Sequence, residues 1–232
     1  MGDLTASNVS AVIVTRGDVD LQPVLESLIF DDVVVWDNSR ESRDEMTYGR
    51  VLATERCRHT VIYSQDDDII HTRENQQRIL AAYRTGILTG CMWPEWSDGA
   101  RAQGIENGYD DLVFCGSGSV YDSAVMWEAT ARYLAACPLD DFFRLWCDTL
   151  VGVISPTQQL DIRFDALPCA DADNRMANLP NAVALKTQAI RRGRAVRDGV
   201  TFGSVLYDGI EDAPTPSGRE PSGARRRSRS AA

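Results

Sequence analysis

Three consecutive carboxylates, Asp66, Asp67 and Asp68, follow the apolar run Thr60-Val-Ile-Tyr63 after only Ser64 and Gln65. Like charges at this spacing repel, so the cluster needs solvent or a cation to relieve it. In an extended strand Asp66 and Asp68 point to the same side, which lets two carboxylates share one hard ion through oxygen. Such an ion can bridge two phosphate oxygens and neutralise a diphosphate leaving group. A solvated acidic loop is the plainer reading of three Asp. Their place at the end of a buried run favours the cation.

Two other polar clusters end apolar runs in the same way. Arg16-Gly17-Asp18 follows Ser10-Ala-Val-Ile-Val-Thr15, and Asp37-Asn38-Ser39 follows Val33-Val-Val-Trp36. Short β-branched runs closed by turn residues predict buried strands. Between them the spacing predicts helices over 21–30, with a stripe of Val24, Leu25, Leu28 and Ile29, and from Tyr48-Gly49-Arg50 onward. A further helix is expected over 74–88, with Ile79, Leu80, Tyr83 and Ile87 on one face. Strand and helix alternating in this way predict an α/β fold with a mostly parallel central sheet flanked by helices. Ligands bind such sheets beyond the C-terminal strand ends, where the three polar clusters converge.

The second half is less regular. Residues 93–111 read as a long surface loop, 122–136 and 140–154 as helices, 160–167 as a strand and 181–197 as a helix. Residues 8–212 are expected to form a single domain. The Pro/Ser/Gly/Arg composition of 213–232 cannot support a core and is expected to be disordered. It carries five arginines and one glutamate, so it is either a solvated end or a contact to an anionic surface.

The chain of 232 residues carries a net charge of −10, which argues against binding nucleic acid through phosphate contacts. Its six cysteines form no CxxC pair and it has two histidines, so reduced, buried thiols are expected rather than zinc. Met1 to Asn8 has no signal-peptide character, and no apolar run reaches membrane-spanning length. A cytoplasmic protein with no transmembrane segment is the expectation. Lys186 is the sole lysine.

The segment from Val61 to Glu74, in which Ser64-Gln-Asp-Asp-Asp-Ile-Ile-His-Thr-Arg73 is embedded, resembles the DxD segment of the exostosin-like glycosyltransferases, family 64. In that family a strand ends in three Asp, then two Ile, then a Thr-Arg-acid helix start. Val33-Val-Val-Trp36-Asp37-Asn38 is similar to its second strand, which ends Trp-Asn-Asn. Residues 142–154, with Cys147-Asp148, look like its helix beginning around Cys-Glu-Asp. The likeness spans residues 10–175 with gaps, and the short length suits the small bacteriophage and bacterial forms.

The resemblance implies a single GT-A domain, a Rossmann-like nucleotide half fused to an acceptor half. It implies a nucleotide-sugar donor, with UDP the first candidate, and an acceptor glycan or protein. Asp66 and Asp68 would hold Mn²⁺ or Mg²⁺, with Asp67 near the donor ribose or sugar. Thr15, Arg16, Asp37 and Asn38 would lie by the base. Arg50 would clamp the diphosphate, or else is a surface arginine. Asp148 would be the acid beside the sugar, acting as general base in an inverting reaction or as a stabilising group in a retaining one. The family has Glu-Asp where this chain has Cys147-Asp148. The pair Asp140-Asp141 is the alternative, with Asp141 the second catalytic candidate, although both also suit a helix start.

Gly116 and Ser117 would lie on the acceptor side, or form a plain turn. Trp93 and Trp96 would stack on a sugar or anchor their loop, and 171–176 would serve as a lid or supply a metal ligand. Two other readings remain. One is a sugar-phosphate nucleotidyltransferase, which usually carries a longer Gly-rich, Lys/Arg-containing loop after its first strand. The other is a non-catalytic metal- or sugar-binding module.

Overall fold

A computed structural model describes residues 4–91, 112–163, 165–166 and 181–199, all within the compact unit Met1–Thr201. The expected boundary near 212 and the Arg-rich end lie outside the described residues, as do Trp93, Trp96 and 171–176.

Three parallel strands form one half of the sheet: β1 (Ser10–Thr15), β2 (Asp32–Asp37) and β3 (Val61–Asp66). The full order is β2-β1-β3-β6-β5-β7, with β5 at Leu88–Cys91, β6 at Ser117–Asp122 and β7 at Thr157–Leu160. Only β6 runs against the rest, antiparallel to both β3 and β5, while β7 is parallel to β5. The fold is therefore α/β, with a mostly parallel six-stranded mixed sheet covered by helices. A separate pair joins β4 (Ile69–Ile70) to β8 (Asp165–Ala166).

The alternation along β3 separates the two faces. Tyr63 lies with Ala11, Val120 and the Ile79 and Leu80 side chains of α3 (Arg73–Ala81) in one apolar cluster. Ser64 faces the other way, toward α2 (Gly49–Ala53). On that second face α4 (Ser123–Leu134) reaches α2 through the Trp127 indole, which donates to Thr54 Oγ1 at 3.0 Å. Next come α5 (Asp141–Ile154) and α6 (Ala182–Arg197). Phe143 of α5 stacks on Tyr133 of α4 at 4.6 Å and meets Tyr48 edge-on at 5.5 Å.

Several elements are shorter than their apolar stripes predict. The first helix, α1, is confined to Gln22–Ser27, because Leu28 turns to extended backbone. Helix α3 stops at Ala81, and Leu88, expected at its end, instead opens β5. Tyr83 packs on the core from beyond the helix. The strand expected over 160–167 lies earlier, at Thr157–Leu160, with the two-residue β8 following. Helix α5 is interrupted: Trp146 has φ −110° and ψ 17°, outside helical values. The Thr47 hydroxyl lies at the break, within 2.9 Å of the Arg144 carbonyl and 3.1 Å of the Leu145 carbonyl. A side chain entering the helical ladder is a recognised cause of such kinks.

Candidate functional site

Parallel pairing brings the polar strand ends together. Thr15 is opposite Asp37, and Val14 is opposite Asp66, so β1, β2 and β3 finish on one edge. Because β6 is antiparallel, its beginning returns to this edge: Ser117 pairs with Gln65, and the Asp66 amide donates to the Gly116 carbonyl at 2.7 Å. A Cβ on Gly116 would strike the Asp66 carboxylate, so only glycine permits this approach. Gly17, at φ +79°, is likewise required where the β1 loop meets Ser39 and Asp37 of the β2 loop.

The strand ends at Asp66, and Asp67 and Asp68 form a turn into β4. The alternation expected to align Asp66 with Asp68 therefore does not apply; a turn sets their relation. Asp66 is held by Arg50, whose guanidinium donates to Asp66 Oδ1 and Ser64 Oγ at 2.5 Å and to the Gln65 carbonyl at 3.2 Å. Arg50 faces the strand ends as expected, but it is only 1% exposed. Its clamp closes on β3 itself. Burial works against its charge, and Asp66, then Tyr121, Asp148 and Cys115, outweigh that and hold its pKa above the ordinary value.

Asp67 is pushed up to about 6 by burial, with Asp66 and Asp18 adding repulsion against a hydrogen bond from Thr15 and the charge of Arg16. Thr15 and Arg16 thus sit beside the acidic turn. Arg16 also pairs with Asp18 at 2.7 Å.

Asp37 accepts from the Ser39 amide at 3.0 Å, from its hydroxyl at 2.6 Å and from Arg40 at 2.9 Å. It also lines a shallow pocket with Leu21, Val35, Arg40, Glu41 and Arg56. Asn38 was expected to emerge at this edge, yet it is buried. Its carbonyl accepts from the Trp36 indole at 3.1 Å and the Glu45 amide at 3.0 Å, while its amide donates to the Met46 carbonyl at 3.2 Å. The reason is local: a 38–46 loop leaving a buried strand needs partners for its backbone, and one Asn side chain supplies two besides meeting the Trp36 indole.

The two acidic candidates on α5 separate clearly. Asp140 caps the helix, accepting from the Phe143 amide at 2.8 Å, and Asp141 pairs with Arg43 on the surface. Asp148 is 6% exposed and lies two residues beyond the Trp146 break, where its carboxylate accepts from the Thr149 amide at 2.6 Å. Its pKa is raised by burial first, opposed by Lys186, raised by Asp66 and lowered by Arg50. Asp148, Asp66, Arg50 and Lys186 are therefore mutually within electrostatic reach, although they come from four elements. Ser117 is buried, its carbonyl accepting from His71 Nε2 at 3.0 Å. Gly116 thus packs against Asp66, with Ser117 following it at the start of β6.

Lys186 was not singled out as a site residue by sequence reasoning. The available signal was its position: it shares the α6 stripe of Ala182, Ala189, Ile190 and Val196, all buried.

Among the described residues, no three His, Cys, Asp or Glu side chains converge as a ready cation site. The turn at Asp66–Asp68 supplies hard oxygen donors, and a cation would relieve the burial cost and the smaller repulsion that raise Asp67. That chemistry fits Mg²⁺ or Mn²⁺, which commonly use one or two carboxylates and complete their shell with water and phosphate. Five cysteines, 57, 91, 115, 137 and 147, are free thiols. Among the described residues no helix is long and apolar enough to cross a membrane. Comparison with models of known protein families gives no match, and comparison with curated protein sequences gives none.

Proposed function

We propose that the chain is a metal-dependent glycosyltransferase with a GT-A domain, transferring a sugar from a nucleotide-diphosphate sugar, UDP-sugar first, to an acceptor hydroxyl of a glycan or protein. The observation that carries this reading is the convergence of the Asp66–Asp68 turn and buried Asp148 at the C-terminal edge of three parallel strands. The likeness of the Asp66 segment to the exostosin-like family supports the same reading. So does the tight Arg16–Asp18 turn, which is too short for a nucleotidyltransferase phosphate loop.

In this reading Asp66 and Asp68 hold Mn²⁺ or Mg²⁺, which when bound would offset diphosphate charge. Thr15 and Arg16 flank the donor beside Asp67, and Asp37 borders the base. Arg50 holds Asp66 in place. Asp148 takes the acceptor proton if the sugar carbon inverts, and steadies developing positive charge if configuration is retained. Burial suits either role, because charge acts more strongly away from water.

The test is nucleotide-sugar turnover with Mn²⁺ across a donor panel, measured as slow hydrolysis where no acceptor is supplied. Asp68→Ala and Asp148→Asn should each lower turnover about 10²-fold or more, with Asp68→Ala also weakening UDP binding. EDTA should abolish the wild-type signal. Full turnover in EDTA, or in Asp68→Ala, overturns the metal assignment. A silent Asp148→Asn beside an inactive Asp141→Asn would move the catalytic acid upstream.

A further inference from the structure

The acidic turn is short, and the chain is anchored on both sides of it. On the incoming side the Asp66 amide donates to the Gly116 carbonyl at 2.7 Å, and Arg50 holds the Gln65 carbonyl and the Asp66 carboxylate. On the outgoing side Ile69 is fully buried and pairs with Ala166 across the β4–β8 ladder. His71 is also fully buried; its Nε2 meets the Ser117 carbonyl at 3.0 Å, and its own carbonyl accepts from Gln76 at 2.9 Å. The β3–β6 register slips between Ser64 and Gln65 and leaves Gly118 out of the pairing at φ +90°, where a Cβ would strike His71 Nε2. Such a bulge bends its strand locally and is common beside functional sites. Only Asp67 and Asp68 lie between the two anchored sides.

Gln65 spans that gap. Its Nε2 donates to the Ile69 carbonyl at 2.7 Å, four residues ahead, and its Oε1 accepts from the Tyr63 hydroxyl at 2.7 Å. Tyr63 and Gln65 share a face of β3, because side chains two apart point the same way. Both are fully buried. A buried carboxamide is costly unless both its ends are bonded. Here the oxygen takes the hydroxyl proton, which leaves the nitrogen to face the Ile69 carbonyl. Adjacent carboxylates repel and push such a loop open. The Gln65–Ile69 bond closes it, on the sheet face opposite Arg50.

We propose that Gln65 is a positioning residue of the acidic turn, a buried brace oriented by Tyr63 that holds Asp66 and Asp68 at the spacing of a small divalent cation. The inference rests on the metal-dependent reading of that turn, whereas the brace stands on hydrogen bonds alone. A held turn discriminates between ions. Mg²⁺ and Mn²⁺ take a compact octahedral set of oxygens, while Ca²⁺ accepts more ligands at longer and more variable distances. Selection between them depends on how far the ligands can move, and the brace limits that movement. Loosening it weakens the small ion more than the large one. A residue that only supported the fold would weaken both alike.

Gln65→Met keeps the length and bulk of the side chain and removes both hydrogen bonds. Tyr63→Phe removes one hydroxyl and leaves the packing intact. Mn²⁺ binding to the full chain is followed by EPR, in which the free ion gives the signal, and Ca²⁺ is read by competition. Gln65→Met should weaken Mn²⁺ about 10-fold while Ca²⁺ changes by less than about 2-fold, and Tyr63→Phe should shift the same ratio about 3-fold. In metal-free protein, hydrogen exchange across residues 66–71 should quicken about 10-fold in Gln65→Met while β1 keeps its wild-type rate. Equal loss of both ions, or unchanged Mn²⁺ affinity in either folded variant, overturns the positioning role. Unchanged exchange at 66–71 overturns the brace without any metal. Should Gln65→Met fail to fold, Tyr63→Phe carries both comparisons. A wild-type protein that binds neither ion overturns the metal reading and the positioning role together, and exchange then judges the brace by itself.

Discussion

Strands β2 and β3 run side by side through β1 and both end in acid and amide side chains, yet their ends are satisfied in opposite ways. At β2 the partners are local. Asp37 is met by Ser39 and Arg40, and Asn38 by Trp36, Glu45 and Met46. At β3 they come from far away: Arg50 from the preceding helix for Asp66, and α5 and α6 for the charges behind it. A strand end that closes on its own loop is built for shape. At the β3 end Asp66 stays 33% exposed against a buried arginine. The contrast separates a strand end satisfied by its own loop from one satisfied by distant elements.

The largest effect on this contrast should come from Arg50→Met. Removing the cation leaves Asp66 without its partner and Ser64 and the Gln65 carbonyl without their donor, a loss of about 3 kcal/mol by the behaviour of broken buried pairs. Urea denaturation measures it, and a loss under about 1 kcal/mol would mean that β3 does not depend on this clamp.

Asn38→Ala should cost about 2 kcal/mol, because the Glu45 amide and Met46 carbonyl lose their partner. UDP affinity, measured by calorimetry with Mn²⁺, should hardly change, since both polar side-chain atoms of Asn38 are already engaged by Trp36, Glu45 and Met46. A drop in affinity without a drop in stability would make Asn38, like Asp37, a contact to the base.

The smallest effect is expected at Asp67. Its folded pKa of about 6 lies above the ordinary value of 3.8, so the folded state holds an extra proton between those limits. The stabilisation belonging to that proton is complete below about pH 4 and is lost as pH rises through 6. Asp67→Asn should therefore be more stable than wild type at pH 7, by about 1 kcal/mol or 2–4 °C in Tm. The difference should vanish near pH 4. Melting curves at the two pH values decide it, and equal Tm at pH 7 would place Asp67 in open solvent.

Much of this arrangement was readable from residue order. The apolar runs at 10–15, 33–36 and 60–63 each became a strand within one residue at the start and up to three at the end, because β-branched residues bounded by Gly, Asp and Asn leave few alternatives. Asp140 and Asp141 were read as helix-start residues, and they cap and pair there. Where apolar spacing outran the helices, as at Leu28, Tyr83 and Leu88, the residues were apolar for the core and not for a helical face. Periodicity alone cannot separate those causes.

The sequence by itself determined which strand ends carry acids and that they share an edge, since parallel strands joined through helices must finish on the same side. Tertiary structure alone decided which charges meet. Arg50 turns inward onto Asp66 because α2 packs with Gly49 against Trp36. Asp148 comes within electrostatic reach of Asp66 and Arg50 from a helix that breaks at Trp146, where Thr47 engages its carbonyls. Lys186 arrives from 38 residues further along the chain because α6 lays its apolar face on the same core. Spacing along a chain encodes neither the break nor the arrival, for both depend on side chains that become neighbours only when the elements pack.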